Sequence, residues 1–510
     1  MNATTQDVVA KLTIWSVVLA GLVLAIFFGL SVSEASYTQL IFITSGVALA
    51  VWVVVARDRW WLPFPVAVAM GGFFYFGFRI FIHELMLAAC LLPLIVNIAT
   101  RKEIMTPFRQ KIPPSVILLA FFMFSHWMIC LIYNQVAGFG GAGSTTRQYM
   151  NAAWPLIIFF AFYLFGNSRH LRTALLCMYF VYLGRFLLGL YIYLTSTEAG
   201  IFEAGRTLIY IPFINYVPSA GHADDLRGST IGLAALSLAY GSMSRNGLLK
   251  LFHYTMTAAA VGANLLGGGR AYFAICMLLV SFWALVNRKM LPIVLFGTLI
   301  SGLLILINLR PEIIETLDLK VQRTLSGFIV TTDTLDIQKA TAASDDFHKT
   351  LREAGYRRWT ENLRSILVGH GVRPFDESGW SDRTRDDVTR FSEQAMLTGR
   401  YEKGLWTVLA TFGAVGFVLY LNVMRFLVFD AARLLWKNRI RDTEHAFYFL
   451  ATFGIVSWIV TLNITGGFPS QELMMGLFAK VAHEDSLRRK ALQGAQPASA
   501  PLPSSHVVPA

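Results

Sequence analysis

Residues 290 to 320 read MLPIVLFGTLISGLLILINLRPEIIETLDLK, and the change of character inside that stretch sets the architecture. From Met290 to Leu309 no side chain is charged. The run is about as long as an α-helix must be to cross a bilayer core about 30 Å thick, since each helical residue advances about 1.5 Å. From Arg310 the chain turns polar and stays so to residue 403, a segment holding about half of the chain's 31 acidic residues. It returns through Arg400-Tyr401-Glu402-Lys403 to the apolar run that begins Gly404-Leu405-Trp406-Thr407. A polar segment tethered to membrane-length runs at both ends predicts a large loop held over a helical bundle.

Composition points the same way. Of the 510 residues, 55% are hydrophobic and 15% charged, with a mean hydropathy of +0.54, whereas soluble domains carry about 25% charged residues. Helix candidates lie near 12–32, 38–56, 62–82, 84–99, 114–134, 152–166, 172–194, 226–243, 250–267, 270–286, 290–308, 404–424, 446–465 and 469–483. The fold class expected is therefore all-α, a polytopic transmembrane bundle of about 12 to 14 spans with one large outward loop. Its divisions would be helices 1 to 11 over 1–308, the loop over 309–403, C-terminal helices over 404–483 and a tail over 484–510. The run at 12–32 exceeds a signal-peptide core and follows little positive charge, which predicts an uncleaved span. The Ala-, Pro- and Ser-rich tail from Gln493 to Ala510 predicts disorder.

The formal charge of +12 is carried mainly in short connectors. Anionic lipid headgroups and membrane topology account for it there, which argues against nucleic acid as a partner. Alternate connectors hold Arg57/Arg59, Arg101/Lys102/Arg109/Lys111, Arg169/Arg172, Arg245/Lys250, Arg288/Lys289 and Arg425/Arg433/Lys437/Arg439/Arg441. Cytoplasmic loops are enriched in Lys and Arg. Both termini are thus expected in the cytoplasm, with 309–403 and 195–225 facing outward, into the periplasm if the cell is Gram-negative. Cys90, Cys130, Cys177 and Cys276 all fall in apolar runs without metal spacing and read as small core hydrophobes.

Cations at the outward ends run against that orientation rule and so call for a function or a partner. Arg185 lies inside Leu183-Gly184-Arg185-Phe186-Leu187-Leu188, where a guanidinium costs about 2.5–3.5 kcal/mol at a span's centre unless it faces a cavity or partner. Arg227 follows Asp224-Asp225-Leu226 and opens a span through Gly228-Ser229-Thr230; a helix-terminal salt bridge explains it equally well. Arg270 follows Gly267-Gly268-Gly269 and precedes Ala271-Tyr272-Phe273. Backbone N–H groups and a fixed cation at a helix N-terminus suit a phosphate or diphosphate, although glycines in a tight hairpin would give the same pattern. The loop adds Arg357, Arg358, His370, Arg400 and Glu402. Glu402, at a span's edge, is the candidate general base, with His348 and His370 as alternatives. Gly369-His370-Gly371 predicts a turn that closes back on the membrane, His126 and His253 hydrogen-bonded positions within the bundle, and Asn264 and Asn308 contacts between helices. No phosphate-binding P-loop, dinucleotide fingerprint, HExxH pair or paired-cysteine metal site occurs, so neither cofactor nor metal is expected.

Three stretches resemble the O-antigen ligase and O-antigen polymerase superfamily of bacterial membrane glycosyltransferases. They are Arg227-Gly228-Ser229-Thr230-Ile231-Gly232, Leu266-Gly267-Gly268-Gly269-Arg270-Ala271, and Trp359 to Gly371 followed by Glu402 to Gly416. Glu402 stands where the family has histidine. The resemblance implies a GT-C-like fold and transfer of an undecaprenyl diphosphate-linked glycan to a sugar hydroxyl, without nucleotide or metal. It implies Glu402, Arg270 and Arg227 as catalytic residues, and Arg185, Arg206, Tyr272, Arg357, Arg358, His370 and Arg400 as substrate contacts. The implied partners are the lipid-linked oligosaccharide, the growing glycan acceptor and membrane lipids, with a chain-length regulator and a flippase. The expected activity is a polysaccharide polymerase for exopolysaccharide, capsule or O-antigen. A ligase, a lipid-linked glycan transporter, a glycosyltransferase using a polyprenyl monophosphate sugar and a secretion-complex scaffold are the alternatives.

Overall fold

The computed structural model describes residues 37–75, 79–100, 112–136, 142–195, 216–217, 226–267, 270–310, 312, 316–317, 319–325, 335–372, 401, 404–462 and 468–495. The expected span at 12–32 and the tail beyond 495 lie outside them. The chain divides into two compact units, Met1–Ile104 with Leu194–Asp225, and Met105–Tyr193 with Leu226–Ala510.

The smaller unit holds α1 (Tyr37–Val55), α2 (Pro63–Met70) and α3 (Ile82–Thr100), with strands β1 (Phe73–Tyr75), β2 (Arg79–Phe81) and β3 (Tyr216–Val217). The strands form an antiparallel sheet in the order β2-β1-β3, with Phe73 opposite both Phe81 and Val217. The Trp52 indole donates to the Ala89 carbonyl at 2.9 Å and ties α1 to α3.

The larger unit contains α4 (Pro114–Val136), α5 (Ala142–Phe165), α6 (Leu171–Thr195), α7 (Leu226–Met243), α8 (Gly247–Leu266), α9 (Arg270–Val286) and α10 (Met290–Leu309). Within the polar 309–403 segment lie α11 (Leu319–Leu325), α12 (Leu335–Thr360) and α13 (Leu363–Val368). The chain closes with α14 (Gly404–Asn438), α15 (Thr443–Thr461) and α16 (Ser470–Ala495).

Among the described residues, five helices are long and apolar enough to cross a membrane: Ile82–Thr100, Pro114–Val136, Leu171–Tyr191, Gly404–Asn438 and Thr443–Thr461. This corrects the expectation of about 12 to 14 spans, and the GT-C-like architecture that went with it is withdrawn. Apolar runs overcount for definite reasons. The run at 62–82 breaks after the eight residues of α2, where Gly71 (φ 59°) and Gly72 (φ 79°) turn the chain into β1 and β2. The run at 469–483 belongs to α16, which carries Glu472, Lys480, Glu484 and Asp485. In α7 and α8, glycine, serine, threonine and Lys250 dilute the apolar face. Ala152–Phe165 and Arg270–Val286 are apolar but short.

The five helices fit a multi-pass membrane protein, and the outer surface agrees. Phe121 is 68% exposed, Phe180 60% and Phe429 63%. Burying such a side chain is worth about 1.5–3 kcal/mol, so a row of them left in water would be costly while lipid removes the cost.

The core of the larger unit sits where α14, α15 and α16 pack with α4 and α5, around Phe412, Phe447, Phe478, Tyr163 and Tyr420. One ionic cluster is set into it. Lys480 on α16, with 5% of its side chain exposed, pairs with Asp430 on α14 at 2.8 Å and with Glu484 at 3.8 Å. The ammonium also lies 4.5 Å from the centre of the Phe426 ring. The Tyr163 hydroxyl donates to Glu484 at 2.9 Å and brings α5 into the same cluster. A carboxylate buried to this degree is stable only with such partners.

Candidate functional site

The two ends of the larger unit can be assigned from cross-helix contacts. The Leu405 N–H donates to the Leu462 carbonyl at 3.1 Å, so the start of α14 meets the end of α15. Phe282 stacks on Phe449 at 5.8 Å, which runs α9 against α15 with Arg270 at that same end. The Asn264 amide donates to Thr230 at 2.7 Å, and Thr324 of α11 donates to the Leu265 carbonyl at 3.3 Å. The start of α7, the end of α8, the start of α9 and the 309–403 segment therefore share one rim.

Three of the sequence-derived arginines belong to this rim. On α6 and α7, Tyr179 meets Tyr240 and a Cβ at Gly232 would collide with the Tyr182 ring. One turn further along α6, the Arg185 guanidinium lies 3.9 Å from where a Gly228 Cβ would stand. Small residues on α7 thus admit Arg185 to the helix's first turn. Arg227 is the second residue of α7, and its side chain lies outside the described residues. Arg270 is the first residue of α9, half-buried, with Tyr272 half-buried two residues on. Arg206, Arg400 and Glu402 lie outside the described residues.

The loop residues converge more tightly. The last turn of α12 carries Arg357, which is exposed, and Arg358, whose side chain is only 12% exposed. Asn362 caps α13 by accepting from the Ser365 N–H at 2.9 Å, the usual way of satisfying a first-turn donor. Between the two helices, the Glu361 carboxylate stands 3.6 Å from Arg358 and 2.9 Å from Nε2 of His370. Tyr401 is buried against Leu351, Ala354 and Ala410, and burial pushes its phenol up to about 12 while Arg358 pulls the other way. The phenol therefore stays protonated near neutral pH. Glu361, more than half exposed, keeps one side open to solvent.

The Gly369-His370-Gly371 turn clamps this cluster onto the bundle. The His370 N–H donates to the Ala410 carbonyl and the Gly371 N–H to the Thr411 carbonyl, both at 2.8 Å. The carbonyls of α14 are free to accept because Gly413 (φ 64°) breaks the helix there. Gly369 (φ 73°) crosses Gly413 so closely that a Cβ on either would strike the other strand's backbone. Beneath the turn, the His126 Nε2 faces the Val368 carbonyl at 3.0 Å, so that nitrogen carries the proton. Its Nδ1 accepts from the Tyr149 hydroxyl at 2.5 Å. Cys130 donates to the His370 carbonyl at 3.6 Å, and Asn134 to the Val372 carbonyl at 3.0 Å.

The arrangement offers an imidazole with a carboxylate 2.9 Å from its Nε2, and a guanidinium and a protonated phenol nearby. An imidazole can accept a proton from a hydroxyl, and a carboxylate this close favours the imidazolium that forms. Among the described residues no group of His, Cys, Asp and Glu is placed to hold a metal. Sequence reading passed over Glu361, whose only signal was its place nine residues before His370. It read His126 as a bundle contact without identifying its partner, the backbone of the polar segment. His348 lies on α12, and Asn308 bonds within α10, to the Leu304 carbonyl at 2.8 Å. The chain matches no protein-family model and no curated protein.

Proposed function

We propose that this membrane protein is a metal-independent glycosyltransferase of the polysaccharide polymerase type. Its donor is a glycan on undecaprenyl diphosphate, and its acceptor is the hydroxyl of a second glycan on the outward face. The observation that carries this reading is the Glu361–His370 pair, 2.9 Å apart, on the same rim as Arg185 and Arg270. His370, with the Glu361 carboxylate beside it, takes the acceptor's proton as its oxygen attacks the anomeric carbon. The bond to the diphosphate oxygen breaks, and the negative charge that develops there is met by Arg270 and Arg185 with the first N–H groups of α9. Arg358 stands beside the base and contacts the incoming glycan. No nucleotide is required, because the substrate brings its own leaving group.

The test is purified full-length protein with lipid-linked oligosaccharide. A ladder of repeats supports the polymerase reading, and Arg270→Ala should lower its rate by about 10²-fold or more. A single transfer to a lipid A core would mark a ligase, movement across the bilayer without new bonds a transporter, and an unaltered ladder in Arg270→Ala would remove the diphosphate site. Labelling of the segment 373–400 from outside intact cells checks the orientation, with both termini expected in the cytoplasm.

A further inference from the structure

At the opposite end of the larger unit, two connectors border an open cleft of about 530 Å³ lined by Ser242 and the exposed Arg288, Lys289, Lys437, Arg439 and Arg441, with no carboxylate in its wall. The Trp283 indole donates to Ser242 at 2.8 Å and sets the floor. Arg288, Lys289, Lys437 and Arg439 form no ion pair with an acid among the described residues. The neighbouring acids are engaged elsewhere, Asp442 with His445 at 2.9 Å and Glu444 with Arg489.

Positive charge in connectors is ordinary in membrane proteins, and helix C-termini attract cations. Neither explains the backbone. Arg288 (φ 55°) and Arg439 (φ 60°) are the only non-glycine residues with positive φ among the described residues, and both line this cleft. Each follows the end of a helix, α9 or α14, where the left-handed cap ordinarily takes glycine. Arginine occupies both positions against the backbone preference, and both guanidinium groups belong to one concavity. Lys289 lies 5.5 Å from the Trp283 ring and 5.9 Å from that of Tyr254. Burial, Lys250 and Arg439 all hold its ammonium below the usual lysine range, as expected of like charges held together.

We infer that this cleft is a binding site for a phosphate-bearing anion, a diphosphate or phosphomonoester group supplied either by an anionic lipid headgroup or by a soluble phosphate. Guanidinium groups pair phosphate oxygens bidentately, and lysines add point charge. The volume suits a group of headgroup or sugar-phosphate size. The inference is independent of the glycosyl transfer proposed for the other rim.

The decisive variant is Arg288→Gly with Arg439→Gly. It deletes two charges while placing at both caps the residue that tolerates the conformation, so fold and binding should move in opposite directions. Full-length protein is reconstituted in phosphatidylcholine vesicles and titrated with inorganic pyrophosphate, and in parallel placed in vesicles containing phosphatidylglycerol. The thermal midpoint and pyrophosphate binding are read. Binding of pyrophosphate that weakens at least tenfold in the variant identifies a soluble-phosphate site. A midpoint raised only by phosphatidylglycerol, with the rise abolished in the variant, identifies a headgroup site. If neither ligand acts on the wild type, or if the variant responds as the wild type does, the inference is overturned. A variant midpoint in plain phosphatidylcholine at or above that of the wild type shows that a loss of binding is not a loss of fold.

Discussion

The two rims of the larger unit handle charge in opposite ways. Where the polar segment docks, Glu361 sits between Arg358 and His370, and backbone groups of His370, Gly371 and Val372 bond to α14, Cys130 and Asn134. At the far rim, five cations line a cleft without a carboxylate. Paired charge with bonded backbone fixes a geometry, as a reacting group needs. Exposed like charge without an acid partner is screened by water and counter-ions, and leaves a positive surface that favours an added anion. Glycine use follows the same division: Gly369, Gly371 and Gly413 supply positive φ at the docking rim, while arginine supplies it at the other.

The largest effect is expected at the docking rim. His370→Ala should lower glycan transfer by about 10²-fold or more, the usual worth of a general base. Glu361→Gln should cost less and shift the pH–rate profile, because the imidazole loses the negative charge beside it. Equal rates for His370→Ala and wild type in the ladder assay would strip this rim of its chemical role.

Next comes the ionic cluster that joins α14, α16 and α5. Lys480→Ala leaves Asp430 and the buried Glu484 without their cation and should destabilise the fold by about 3 kcal/mol or more. The thermal midpoint in detergent measures it, and Lys480→Ala paired with Glu484→Gln should recover part of the loss. An unchanged midpoint in the single variant would mean that the cluster is solvated.

Gly413→Ala probes the backbone crossing. A side chain at positive φ pressed against the backbone of Leu367 should cost about 1–3 kcal/mol. It should also release the polar segment, so proteolysis within 335–372 should quicken. Loss of stability without faster cleavage would separate the helix break from the clamp.

The smallest effect is at the far rim, where Asp442 caps α15 by accepting from the His445 N–H at 2.9 Å. Hydrogen bonding to His445 holds its carboxyl down at about 2. A depressed folded-state pKa contributes stability that is complete above the ordinary aspartate range, near 4, and lost as pH falls through about 2. The side chain is 57% exposed, so solvent screens the ion pair and the cap sets the scale. Asp442→Ala should therefore cost about 1 kcal/mol at neutral pH, and the difference from wild type should vanish in acid. A difference undiminished at pH 2 would assign the effect to packing.

Some of this was legible in the chain itself. The apolar run to Leu309 is helical as α10, and the return at Gly404 opens α14, because long apolar runs without breakers favour helix. The number of spans was not legible. A run such as 62–82 looks continuous in composition, yet Gly71 and Gly72 break it, and Lys480 and Glu484 enter the core of α16 as a neutralised cluster that hydropathy counts as polar. Gly369-His370-Gly371 announced a turn, but its acceptors, Ala410 and Thr411, exist only because Gly413 frees them some forty residues away. Glu361 carried no motif, since its meaning lies in distance to His370 and not in spacing. The cation cleft is dispersed over two connectors about 150 residues apart and could be read only as topology.

The glycine crossing has a consequence for how the protein could change. Val372 is held by Asn134 of α4, next to Gly371 bonded to Thr411 of α14, and Tyr401 packs on Ala410 of α14. Whatever runs from 373 to 400 must leave and rejoin at these fixed posts. Insertions, deletions or grafted epitopes there could alter what the rim touches while Glu361, His370 and the bundle beneath keep their register, so that a change of contacts need not disturb the docked turn.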